Sequence, residues 1–254
     1  MISKHWKIAL ALLPIIGTCL AGNYDDRLKF SYCKHGWNGT NAAHDASGRA
    51  TYATVTTGAI LTASGDYYFS GATSGRIESV SGATMMASQT TWTVTFAFCA
   101  TNPSATAGPA LWGEGCLTNS TPYIVLGCNG SNYECTYWTP VGSAGSLDVT
   151  ITNRIATNGW HFGAMTFIGA NTGSAIRLWL DGAHQSQQSK VACPSINSNL
   201  NSQCVGILPQ KNTYVSPAKN MISDVNGYSP ALSDAEINDV FLQWRRDFQG
   251  KFNQ

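Results

Sequence analysis

Of the 254 residues only 11% are Asp, Glu, Lys or Arg, against roughly 25% in an average soluble domain, and the formal net charge is +1. The polar surface must therefore come from Ser, Thr, Asn, Gln and Gly, a composition that suits an extracellular surface better than the cytosol. No Lys/Arg run is long enough to follow a phosphate backbone, which excludes nucleic acid as a partner.

The chain opens with Lys4 and Lys7, an apolar run from Ile8 to Ile16, and small residues from Gly17 to Gly22. This is the layout of a signal peptide over residues 1–21, or of an N-terminal anchor, and it predicts secretion or surface display. The apolar run falls short of the ~20 residues a membrane-spanning helix needs. Residues 22–254 show no internal repeat and read as one domain. In Thr91–Cys99, Trp92, Val94, Phe96 and Phe98 share one face, and Thr93, Thr95, Ala97 and Cys99 the other, the period of a strand. Pro122–Cys128 and Trp160–Ile168 are further apolar strands. In Ala175–Asp181, Ile176, Leu178 and Leu180 oppose Arg177, Trp179 and Asp181, and Asp181-Gly182 then signals a hairpin turn. Near the C-terminus, Ser233-Asp234-Ala235-Glu236 is a capping box, with Leu232 and Ile237 placed as a hydrophobic staple. Ile237, Val240, Phe241, Trp244 and Phe248 recur at helical spacing, so one short helix is expected there. Many short strands with a single helix predict an all-β protein, a two-sheet antiparallel sandwich.

Eight cysteines without a CxxC motif point to an oxidising compartment rather than a zinc cage. Short loops favour Cys128–Cys135 and Cys193–Cys204 bridges; Cys99–Cys116 and Cys19–Cys33 would complete the set. Cleavage after Ala21 would remove Cys19 and leave Cys33 odd, whereas cleavage after Gly17 would keep both. Sequons at Asn38, Asn119 and Asn129 are candidate glycosylation sites.

Asn158-Gly159-Trp160-His161-Phe162, Met165-Thr166-Phe167 and Leu178-Trp179-Leu180-Asp181-Gly182 resemble the central hairpin of laminin G-like domains in the concanavalin A-like superfamily. Ile222-Ser223-Asp224-Val225 and the stretch from Ser229 to Ile237 resemble the same family's last strand and trailing helix. Upstream, Asp45-Ala46-Ser47-Gly48 and the segment from Gly65 to Gly71 resemble its opening. The resemblance spans roughly residues 45–240. It implies a jelly-roll sandwich in which Trp160 packs inward. It also implies calcium as an ion such a domain can hold, with Asp45, Asp66 and Asp224 the carboxylates in matching segments; as turn or cap residues they would need no ion.

The fold hosts lectins, adhesion modules, lyases and glycosidases, so it does not decide the activity. Glycosidases need two carboxylates flanking one bond, in this fold typically Glu-x-Asp-x-x-Glu, and that triplet does not occur. Of the four glutamates, Glu78, Glu114, Glu134 and Glu236, the last is taken by the capping box. The expectation is a carbohydrate-binding or adhesion domain without catalysis, whose partners are glycans or surface glycoproteins. The aromatic and amide-rich segment from Trp112 to Trp138 is the candidate binding surface, with Trp112, Asn129, Tyr133 and Trp138 as its contacts; the alternative is that these aromatics are core. Two further classes remain open: a self-assembling subunit of an extracellular filament, coat or virion surface, and a polysaccharide hydrolase or lyase.

Overall fold

Alternation of apolar and polar residues, repeated between turns, leaves this chain only one economical way to bury its aromatics, which is to stack sheets. The computed structural model describes residues 24, 26–32, 42–43, 53–62, 66–79, 90–100, 110–116, 123–129, 131–138, 147–152, 155–156, 158–170, 173–190, 202–210 and 213–247. The first strands are β1 (Leu28–Tyr32), β2 (Ala42–Ala43), β3 (Ala53–Val55), β4 (Ala59–Leu61), β5 (Tyr67–Phe69) and β6 (Ile77–Ser79). Longer ones follow: β7 (Thr91–Ala100), β8 (Ala110–Gly115), β9 (Tyr123–Asn129), β10 (Asn132–Trp138), β11 (Leu147–Ile151) and β12 (Trp160–Ala170). The last are β13 (Gly173–Leu180), β14 (Ala183–Lys190), β15 (Ser202–Val205), β16 (Leu208–Gln210), β17 (Thr213–Val215) and β18 (Asn220–Tyr228), before helix α1 (Asp234–Asp247).

Two antiparallel sheets result. The first runs β14-β13-β12-β7-β18-β5-β4, and the second β11-β10-β9-β8-β15-β6-β3-β2. In the first, β18 divides one edge between two partners: Met221 and Ile222 pair with β5, while Val225–Tyr228 pair with β1. Its register against β7 shifts between Ser223 and Asn226, a bulge at which Asp224 takes φ 52°.

The β7 alternation sorts as its residue pattern requires. Trp92, Val94, Phe96 and Phe98 meet Leu111, Trp112, Ile124, Leu126, Tyr133, Phe167, Ile176 and Leu178 in the core between the sheets. The opposite face of the first sheet carries Ala97, Phe162, Ala164 and Trp179, and α1 covers it with Ile237, Val240, Phe241 and Trp244. This sheet is therefore buried on both sides, which is why its central strands hold so few charges. Burying each of the large helix side chains contributes about 1.5–3 kcal/mol. Trp160 departs from expectation: it is only partly buried and packs against the helix-side cluster, because β12 sends its even-numbered residues that way.

The punctuation follows local chemistry. Ser233 caps α1, its Oγ accepting from the Glu236 N–H while Glu236 accepts from the Ser233 N–H at 2.7 Å. Asp181 (φ 53°) and Gly182 (φ 84°) make the tight turn joining β13 to β14. On the second sheet, Gly113 and Gly115 let β16 lie directly on β8. A Cβ at Gly115 would stand 1.8 Å from the Pro209 carbonyl oxygen.

Candidate functional site

Where α1 begins, the segment that leads into it stands off the first sheet and leaves a cleft of about 800 Å³. Its floor is the helix-side face of three adjacent strands: Thr91 from β7, Thr166 and Ile168 from β12, and Arg177 and Trp179 from β13. Pro230–Glu236 form one wall, and Arg27 closes the end. The loop is held down by backbone and hydroxyl contacts, since the Leu232 N–H donates to Thr93 Oγ1 at 3.0 Å and Ser229 Oγ donates to the Thr91 carbonyl at 2.8 Å.

The charges in the cleft are unequally committed. Both terminal nitrogens of Arg27 donate to the Glu236 carboxylate, which also receives Ser233 N–H and Oγ. Arg27 chiefly, helped by Ser233 and opposed by burial, pulls the Glu236 carboxyl down to about 2. Arg177 has only a long 3.8 Å contact with Asp234, whose side chain is 61% exposed. The Arg177 Nε–H and the indole N–H of Trp179 are buried with no hydrogen-bond partner, and Trp179 is 1% exposed. The floor thus carries donors whose capacity is unused. An oxygen-rich ligand of modest size fits such a cleft, which lies within the roughly 300–1,000 Å³ typical of small-molecule sites.

The candidates chosen from sequence are dispersed. Trp112 has no exposed surface and packs against Trp92, ring centroids 5.6 Å apart, so it offers no face to a sugar. Tyr133 is also fully buried. It crosses the sandwich to reach the Ala164 carbonyl, and burial raises its hydroxyl well above the usual range. These two belong to the core, as the alternative had it. Asn129 and Trp138 lie in β9 and β10, Trp138 paired with Tyr123, but their side chains are outside the described residues. Asn38 and Asn119 are outside them as well.

For the calcium set, Asp45 lies outside the described residues. Asp66 precedes Tyr67, whose partner is Ile222, so it runs past Ser223 and Asp224; both aspartates are buried, and Ser223 Oγ donates to Asp224 Oδ2 at 2.6 Å. Two carboxylates supply fewer than the about six to eight oxygens calcium takes. Among the described residues no group of three or more His, Cys, Asp or Glu could hold a metal.

The described cysteines, Cys99, Cys116, Cys128, Cys135 and Cys204, are buried and none of them forms a disulfide, which corrects the expected Cys128–Cys135 and Cys99–Cys116 bridges. Cys128 and Cys135 share a face of the β9–β10 hairpin but sit diagonally, opposite Tyr133 and Leu126, and Cys135 Sγ approaches Met165 Sδ at 2.9 Å. Cys99 is on the first sheet and Cys116 follows β8 of the second. Cys204 is not bridged either, while Cys19, Cys33 and Cys193 lie outside the described residues.

His161 Nε2 accepts from the Ala156 N–H at 3.1 Å, and Nδ1 meets Asp181 Oδ2 at 3.0 Å, the local satisfaction expected of a strand histidine. Glu78 is held by Arg76 and Ser202. Glu114 pairs across from Ile124, a core residue, whereas Glu134 pairs with exposed Thr150, so the two point to opposite faces of the second sheet.

Arg27, Arg177, Trp179, Thr91 and Thr166 were not singled out from sequence. The available signal was Arg177-x-Trp179 on the outward side of an alternating strand, since a guanidinium is a conspicuous choice for a sheet face in so uncharged a chain.

Solved structures show the same architecture at low identity. The botulinum neurotoxin serotype D binding domain superimposes with a TM-score of 0.65 at 16% identity, over 87% of this chain and 53% of that one. This chain thus spans about half the length of the toxin domains it matches. The CBM40 of Ruminococcus gnavus IT-sialidase, solved with α2,3 sialyllactose, gives 0.53 at 14% identity, over 61% of this chain and 84% of that one. The leech intramolecular trans-sialidase gives 0.52 at 16%, over 61% of this chain and 24% of that one. No curated protein sequence matches. Residues 71–238 match the laminin G-type family of the concanavalin A-like lectin/glucanases superfamily, and the chain belongs to that family.

Proposed function

We propose that this protein is a glycan-binding module that acts outside the cell and does not cleave what it binds. The observation that carries the proposal is the cleft at the start of α1, where a tryptophan, two threonines and an incompletely paired arginine line one recess. Hydroxyl and guanidinium groups suit ring oxygens, and the apolar surface of Ile168, Pro230 and Ala231 suits the C–H face of a sugar. Relatives of the fold include a carbohydrate-binding domain solved with a sialylated sugar, which supports the same class of ligand. The non-catalytic part rests on Glu78 and Glu236 being held by arginine, and on Glu114 and Glu134 facing opposite ways. A glycosidase needs its two carboxyl groups within about 5–9.5 Å of each other across one bond.

The test is retention on a glycan array, followed by incubation of any bound polysaccharide with the protein. Selective retention without new reducing ends or unsaturated sugars is the expected result. Turnover abolished by Glu114→Gln or Glu134→Gln would establish an enzyme instead. Large particles formed without glycan, together with no retention, would favour an assembly subunit.

A further inference from the structure

We infer that the cleft at the start of α1 takes a carboxylate-bearing sugar, with the Arg177 guanidinium holding the carboxylate; this rests on the glycan-binding reading above. The inference comes from counting which polar groups in the cleft remain unused. Arg27 and Glu236 neutralise each other at contact distance, and the Ser233 N–H is taken by the same carboxylate. That removes Arg27 and the Ser233 N–H from the free donors. Asp234 is the remaining acid, but it is mostly in solvent, and its 3.8 Å separation from Arg177 Nη1 is too long for a hydrogen bond.

What is left lies on one strand. The Nε–H of Arg177 and the indole N–H of Trp179 are buried and unpartnered, and both residues line the cleft. They are two apart on β13, so their side chains stand on the same face, about 6–7 Å apart along the strand. Neither group can accept a hydrogen bond. A neutral sugar would present hydroxyls that need acceptors as well as donors, whereas a carboxylate only accepts. It also matches a guanidinium edge with two parallel bonds. Thr166 is engaged with Thr93 Oγ1 at 3.1 Å; Thr91, which can donate and accept, remains for a ring hydroxyl, and Ile168 with Ala231 supplies apolar contact. Sialic acids and uronic acids share this chemistry, and the ligands of the test separate them.

The full chain and its Arg177→Gln and Arg177→Lys variants are titrated calorimetrically with 3′-sialyllactose, the methyl ester of 3′-sialyllactose, lactose and a hyaluronan tetrasaccharide. The expected result is measurable binding of at least one acidic sugar, with lactose at least tenfold weaker. Arg177→Gln should lose at least tenfold for that acid with its melting temperature unchanged, and Arg177→Lys should fall between. If the sialoside is the sugar bound, its methyl ester should lose the same tenfold, a comparison that leaves the protein unaltered. The tighter of the two acids identifies the source of the carboxylate. Equal affinity for acidic and neutral sugars, or an unchanged Arg177→Gln affinity, would overturn the carboxylate assignment and leave glycan binding standing. No binding of any sugar, here or on the array, would overturn both.

Discussion

Arg27 grips Glu236 from 209 residues away in sequence, both of its terminal nitrogens on the one carboxylate. The contact fastens the segment before β1 to the first turn of α1. It also completes the capping box, because the carboxylate that satisfies the Ser233 N–H is the one Arg27 neutralises. Glu236→Gln keeps a capping amide but loses the charge, and should cost roughly 1 kcal/mol at neutral pH, as for other part-exposed ion pairs.

The pH dependence of that loss follows from the depressed Glu236 carboxyl. Its folded value of about 2 lies below the ordinary 4.5, so its contribution is complete above pH 4.5. It fades as pH falls from there toward 2. Urea unfolding of wild type and Glu236→Gln should differ at pH 7 and converge near pH 2. A constant difference across that range would mean the charge is not what stabilises the cap.

Gly115→Ala tests the layer in which β16 covers β8. The new methyl group would meet a backbone oxygen, Pro209 O, at 1.8 Å, and a backbone atom cannot swing aside as a side chain can. The β16–β17 hairpin must lift, at a cost of about 1–3 kcal/mol, the usual range for overpacking. The cleft lies on the other sheet, so glycan retention should persist. An unchanged melting temperature would show that the hairpin does not rest on β8.

Burial also sets the thiol chemistry. Cys128, Cys135 and Cys204 are each pushed above the ordinary thiol range by desolvation, with Glu134 adding to the first two and Glu78 to the third. A thiol that is neither ionised nor exposed does not attack. Native protein at pH 8 should therefore leave these cysteines unalkylated, and denaturant should expose all of them. Peptide mapping that finds any of them bridged or modified before unfolding would contradict their assignment as free core thiols.

The fold was legible because its signals are local and periodic. Trp92 to Phe98, the Asp181-Gly182 turn and the Ser233–Glu236 box each fix a backbone state within a few residues, and each is present in the structure. The side on which Trp160 packs was not legible. A sheet sandwiched between another sheet and a helix is apolar on both faces, so alternation tells the faces apart without saying which is which. The site was hidden for a related reason. Trp112 and Trp179 look alike in sequence, and they differ only because the first points into the core between the sheets while the second points toward the helix, beside the cleft.

Those two tryptophans supply the last prediction. Trp112→Phe removes part of a fully buried ring that packs on Trp92, leaving a cavity in the main core. Large-to-small core changes of this kind destabilise by the lost burial plus the unfilled volume, here roughly 1–3 kcal/mol because Phe fills most of the space. Sugar affinity should stay within a factor of two or so of wild type once the protein is held below its melting temperature, since ~0.4 kcal/mol would already change it that much. Trp179→Phe should do the reverse in part: it keeps most of the packing against α1 but deletes the unpartnered indole N–H of a residue that lines the cleft, so affinity should fall several-fold with a smaller loss of stability. Calorimetric unfolding and sugar titration on both variants separate the two effects. Loss of affinity in Trp112→Phe with Trp179→Phe unaffected would return the binding surface to the Trp112–Trp138 segment and take it away from α1.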